Sequence, residues 1–135
     1  MSERQAHDFQ VRVYFEDTDA QGVVYFANYL KFMERGRTEW LRERGVEQDR
    51  LMGDHGLCFA LTSTDAKFLR PARFNDLLQI RTRVAERGRA RIELEQAVLR
   101  DDEVLCSARC VAACLDAESF RPRRIPEPVV ARITS

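Results

Sequence analysis

Val11-Arg12-Val13-Tyr14-Phe15-Glu16-Asp17-Thr18-Asp19-Ala20-Gln21-Gly22-Val23-Val24-Tyr25-Phe26-Ala27-Asn28-Tyr29-Leu30 changes its physical character twice within twenty residues. From Phe9 to Phe15, apolar and polar side chains alternate, with Phe9, Val11, Val13 and Phe15 on one side, the signature of a half-buried strand. The polar run from Asp17 to Gly22 breaks that alternation. Asp favours turns, and Gly22 can take positive φ without steric cost, so a loop follows the strand. From about Asn28 to Arg44 the period becomes helical: Tyr29, Leu30, Met33, Gly36, Trp40 and Leu41 share one side, and Gly45 is placed to close the C-terminus.

Gly36 in the middle of this helix costs about 1 kcal/mol relative to alanine, which implies that something, most simply a sheet, packs closely there. Strands follow. Cys58 to Leu69 ends before Pro71, and further alternating runs cover Leu78 to Val84, Ile92 to Val98 and Leu105 to Leu115. Arg87-Gly88-Arg89 and Arg100-Asp101-Asp102-Glu103 read as hairpin connections, with a meander as the simplest topology. Phe120 to Ser135, with Pro122, Pro126 and Pro128, reads as an irregular tail. The order of strand, loop, long helix and four antiparallel strands gives one α+β domain over residues 1–135, with the helix on one sheet face. Uncovered sheet edges predict association into dimers or larger assemblies.

Composition excludes several function classes. The 22 basic and 22 acidic side chains are spread along the chain and give no net charge, so no broad field draws in nucleic acid or anionic lipid. Met1 to Gln5 lacks an apolar leader and no run approaches the roughly 20 apolar residues of a membrane span, which predicts a cytoplasmic protein. Cys106, Cys110 and Cys114 recur every four residues without a C-x-x-C pair, so they read as small core residues beside Ala108 and Ala112 rather than zinc ligands. Asp17-x-Asp19-x-Gln21-Gly22 opens like a calcium loop, but its twelfth position is Asn28, where a bidentate glutamate is required. No metal and no cofactor are expected.

The chemistry concentrates where the loop becomes the helix. A helix start offers unpaired N–H groups and a positive dipole end that can hold an oxyanion. A nearby carboxylate completes a minimal acyl-transfer site, in which Asp19 attacks a thioester carbonyl or deprotonates a water that does. The same aspartates also suit a turn or helix cap, and Asp17 reads as a supporting group of that kind. Glu34 sits either on a solvated face or at the pocket. Arg87, Arg89 and Arg91, or Arg121, Arg123 and Arg124, have the guanidinium geometry to bind phosphate, or are ordinary surface charges.

The run from Val11 to Leu30, with Pro71-Ala72-Arg73-Phe74-Asn75-Asp76, resembles the YbgC-like acyl-CoA thioesterases of the 4-hydroxybenzoyl-CoA thioesterase family. The resemblance covers nearly the whole chain. It implies the hot-dog fold, a five-stranded antiparallel sheet wrapped around one long central helix, assembled as dimers or tetramers with sites at subunit interfaces. It assigns catalysis to Asp19 and the oxyanion site to backbone amides near Tyr25 and Phe26. Gly22, Val23 and Asn28 are then expected to touch substrate, and Arg89 and Arg91 to reach the phosphates of acyl-CoA. Many relatives carry histidine where this chain has Phe26, and alanine where it has Gly36. The alternative from another class is a non-catalytic hot-dog module that binds acyl-CoA or acyl carrier protein, or docks on an envelope system.

Overall fold

The computed structural model describes residues 6–134; Met1 to Gln5, read above for a leader, and Ser135 lie outside the described residues. In chain order the elements are β1 (His7–Arg12), α1 (Phe26–Glu43), α2 (Gln48–His55), β2 (Leu57–Phe68), β3 (Leu77–Arg87), β4 (Arg91–Arg100), β5 (Glu103–Asp116) and α3 (Glu127–Ile133). The strands form one antiparallel sheet in the order β1-β3-β4-β5-β2, and α1 packs across it, which is the hot-dog arrangement.

Alternation decides which side of each strand meets the helix. On β4 the buried residues are Ile92, Leu94, Gln96 and Val98, joined by Leu99 where the register shifts, and on β5 they include Cys106, Ala108, Cys110, Ala112 and Cys114. The three cysteines are therefore core thiols, and desolvation pushes Cys106 up to about 11 and raises Cys114. From α1 come Tyr29, Phe32, Met33, Trp40 and Leu41, all buried. Large side chains of this kind contribute about 1.5–3 kcal/mol each on burial.

Gly36 is the point of closest approach. A Cβ there would lie 2.6 Å from Ile80 Cγ2 and 3.2 Å from Ile80 Cβ, so only glycine lets helix and sheet meet at this distance. Beside it, buried Gln96 donates from Nε2 to the Met33 carbonyl and to Thr82 Oγ1, both at 2.9 Å, which pins the helix to β3 and β4. The helix then ends in a Schellman arrangement: Gly45 takes φ +80°, its N–H donates to the Arg42 carbonyl, and the Val46 N–H donates to the Leu41 carbonyl.

Four expectations from the sequence change. The first strand stops at Arg12: Asp17 Oδ2 accepts the Tyr14 N–H at 2.8 Å, so Phe15–Asp17 curl into a 3-10 turn and Phe15 is exposed. The strands after α1 do not form a simple meander. Only β3, β4 and β5 do, while β2 joins the far edge beside β5, so residues 69–76 must cross the sheet ends. Residues 48–55, given no element by pattern, form α2 with Leu51 as their only buried residue, closed by Gly56 at φ +66°.

Finally, the tail is not wholly irregular. Pro126 caps α3 and Pro128 lies in its first turn, where a missing N–H costs nothing, while Ile125, Val129 and Ile133 are buried in the core. No helix among the described residues is long and apolar enough to cross a membrane.

Candidate functional site

Three segments are knitted together at one end of α1. The Val13 N–H donates to the Asp76 carbonyl and the Asn75 N–H to the Val13 carbonyl, so the chain leaving β1 is tied to the chain entering β3. Val24 N–H donates to the Ala72 carbonyl at 2.8 Å, and the Ala72 N–H donates to the buried Tyr29 hydroxyl at 3.0 Å. Burial raises the Tyr29 phenol above its ordinary value, so it stays protonated. Asp76 accepts from the Arg73 N–H and from Arg100 Nη1, which closes this unit. The Pro71 to Asp76 run carried this signal in the sequence; the part played by Tyr29, Asp76 and Arg100 was not legible there.

Within the knot, Asp19 opens a three-residue hairpin. Gly22 N–H donates to the Asp19 carbonyl at 3.0 Å, Asp19 N–H donates to the Val23 carbonyl at 2.9 Å, and Gly22 takes φ +79°. That is a type I turn followed by a left-handed residue, a loop in which aspartate at the first position is favoured. Asp19 Oδ1 accepts the Gln21 N–H at 2.9 Å, as such a turn requires. Its Oδ2 has no hydrogen-bond partner among the described residues, and the side chain is exposed.

Asp17 plays a different part. It is buried, with Oδ2 on the Tyr14 N–H and Oδ1 accepting from Asn28 Nδ2 at 2.9 Å, while its carbonyl accepts the Tyr25 N–H. It therefore braces the loop against the first turn of α1. Asn28, expected at the substrate, has its amide committed to that brace.

Tyr25 is the N-cap of α1 and supplies no side-chain cap. Its carbonyl accepts the Asn28 N–H, whereas the N–H groups of Phe26 and Ala27 have no acceptor among the described residues. Around this bare helix start lies an open aromatic cluster. Tyr25 and Phe26 stack at 5.7 Å, and Phe26 approaches Phe68 at 5.2 Å. Tyr25, Phe26 and Phe68 are 53%, 61% and 47% exposed, an unusual amount of aromatic surface to leave open to water at one place.

The structure brings Asp19, Gly22, Val23, Tyr25, Phe26 and Asn28 into this one unit, but not the two arginines. Arg91 and the neighbouring Arg89 lie at the far end of β3, roughly 30 Å from the loop by strand rise. Arg91 pairs there with Glu93, and the Arg89 carbonyl accepts the Ile125 N–H. Of the other cluster, Arg123 is bound by Asp116 and Arg124 pairs with Glu127. Among the described residues, no group of three His, Cys, Asp or Glu side chains is arranged to hold a metal ion.

Comparison with known proteins follows the same lines. A family profile described as Thioesterase-like superfamily matches residues 13–133. An acyl-CoA thioesterase YbgC of Haemophilus influenzae is 41% identical over 123 residues, covering 91% of this chain and 90% of that protein. An acyl-CoA thioester hydrolase YbgC of Escherichia coli is 38% identical over 122 residues, covering 90% of each. Among solved structures, a probable thioesterase from Bartonella henselae superposes with a TM-score of 0.85 at 41% identity, covering 90% of this chain and 99% of that one.

Proposed function

The chain belongs to the Thioesterase-like superfamily, and on that premise we propose that it hydrolyses acyl-CoA thioesters at the junction of the Asp19 hairpin and α1. One observation carries the reading. A short segment holds both a carboxylate oxygen, on Asp19, and two helix-start N–H groups, on Phe26 and Ala27, that find no partner among the described residues. The amides polarise the thioester carbonyl and take up the charge on its oxygen; loss of one such donor costs about 3 kcal/mol of barrier.

Two balanced routes use these groups. Asp19 attacks the carbonyl carbon, CoA leaves as thiolate, and water hydrolyses the resulting anhydride. Alternatively Asp19 takes a proton from water, the hydroxide adds to the carbon, and the thiolate leaves. Exposed Asp19 favours easy entry of water. Phe26, Tyr25 and Phe68 supply an apolar wall for the acyl group next to the carbonyl, and Gly22 and Val23 set the opening. Arg89 and Arg91 reach CoA phosphates only if they come from another copy of the chain.

The reading includes a homo-oligomer, dimer or tetramer. Its support is the exposed aromatic cluster together with the twelve-residue edge strand β2, whose outer side pairs with nothing among the described residues. It also places the protein in the cytoplasm, where acyl-CoA and acyl carrier protein are available as substrate and partner.

A second reading, a binding module without turnover, is favoured by the hairpin itself, since Asp19 is already the ideal turn residue there. Assay of CoA release across an acyl-CoA panel with a thiol reagent separates the two. Saturable release by the wild type, lost in Asp19→Asn, supports hydrolysis; binding of acyl-CoA without release establishes the module.

A further inference from the structure

Between the C-terminal half of α1 and the sheet lies a cavity of about 200 Å³, away from the Asp19 loop. Its apolar wall includes Trp40, Phe59, Leu61 and Leu94, and among the described residues its only ionisable lining groups are Glu34 and Arg37. Arg37 is half-buried and has no carboxylate within ion-pair distance among the described residues. Its Nη1 donates to Gln96 Oε1 at 3.0 Å and more weakly to Cys110 Sγ at 3.9 Å, both uncharged acceptors. Its Nε and Nη2 donate to no group among the described residues.

Glu34, one turn earlier, does not neutralise it. Glu34 is exposed, and its Oε2 accepts from Thr38 Oγ1 at 3.0 Å, which in turn accepts from Gln48 Nε2 at 3.3 Å. This chain of hydrogen bonds holds one oxygen of the exposed carboxylate, and no Arg37 nitrogen lies within ion-pair distance of it. The outcome is a partly desolvated guanidinium with free donors beside an apolar cavity, an arrangement costly by itself and matched by an incoming carboxylate.

We propose that this cavity binds a small carboxylic acid, its carboxylate on Arg37 and its hydrocarbon tail against Trp40, Phe59 and Leu94. The volume is below that of a drug-sized pocket, so the tail is short. The proposal does not rest on hydrolysis at Asp19, and it is read without turnover.

Trp40 is the chain's single tryptophan, so its fluorescence reports on the cavity directly. The full chain is titrated at pH 7.5 with octanoate and with octan-1-ol, which share a tail and differ in charge. Saturable binding of octanoate at least tenfold tighter than octanol is expected, and Arg37→Gln, which keeps a side-chain N–H donor, makes the two equal. Equal affinities in the wild type, no saturable response to octanoate, or a preference that survives Arg37→Gln each overturn the proposal. A Trp40 signal that follows protein concentration but not octanoate also overturns it, and shows a second copy seated there. Should Arg37→Gln not fold, Ala112→Leu narrows the cavity with Arg37 intact; loss of octanoate binding then supports the proposal and unchanged binding overturns it.

Discussion

The first turn of α1 and its middle are built on opposite principles. At the start, Tyr25 and Phe26 are more than half exposed, and among the described residues no side chain caps the helix and two N–H groups lack acceptors. In the middle, Phe32, Met33, Gly36 and Trp40 are buried, Gly36 touches Ile80, and Gln96 bonds the Met33 carbonyl. A missing N-cap forgoes about 0.5–2 kcal/mol, which an 18-residue helix held along its length and closed at its C-terminus can sustain. The difference teaches that stability comes from the middle of this helix, which leaves its beginning open to solvent.

Mutations sharpen or break that contrast. The largest effect is expected from Asp19→Asn, with CoA release falling about 10³-fold or more. Asparagine keeps an acceptor for the Gln21 N–H and suits the same turn position, so calorimetry should show a nearly unchanged melting temperature. Retained turnover, or a large drop in melting temperature, would mean that this loop belongs to the stability side.

Gly36→Ala tests the other side. Overpacking against Ile80 costs about 1–3 kcal/mol, and the gain in helix propensity returns about 1, so urea denaturation should show a net loss of up to about 2 kcal/mol. A more stable variant would show that helix and sheet do not meet as tightly as the 2.6 Å approach requires.

Cys106 adds a pH signature to the buried region. Burial pushes its thiol from the ordinary 9.0 up to about 11, so the folded state holds its proton longer than the unfolded chain. The resulting stability is intact below pH 9 and declines as pH rises toward 11, by about 1 kcal/mol at pH 10. Urea midpoints at pH 8 and pH 10 in wild type and Cys106→Ala measure this, the variant losing that part of the slope. In native protein at pH 8, a thiol reagent should label half-buried Cys58 well before Cys106.

The smallest effect belongs to Phe74→Ala. Its ring stacks on Phe15 at 4.0 Å and 8°, but both rings are exposed, so thermal denaturation should register at most about 1 kcal/mol. A cost of several kcal/mol would mean that this exposed stack, and not only the middle of α1, helps hold the fold.

What was legible in the chain was periodic. Strand alternation, the helical stripe from Tyr29 to Leu41 apart from the exposed Leu30, the cysteine and alanine face of β5 and the close approach at Gly36 all follow from side chains repeating at the period of their own element. The Asp19 to Gly22 turn was legible too, because its residues carry their conformational preference locally. The end of β1 was not: Phe15 continues the alternation, and only the Asp17 carboxylate folding back on Tyr14 turns the backbone away. Nor was α3, where prolines that read as breakers occupy the positions a helix start tolerates.

Local pattern thus determined the five strands and the long helix α1, though neither α2 nor α3, and the face that each of the strands buries, since these depend on neighbours within a few residues. The strand order, the crossing of residues 69–76 beneath the helix start, the commitment of Asn28 to Asp17 and the isolation of Arg37 from every carboxylate among the described residues were decided by tertiary structure alone. Each depends on groups distant in sequence meeting in space, and no periodicity encodes which partner a strand edge, an amide or a guanidinium will find.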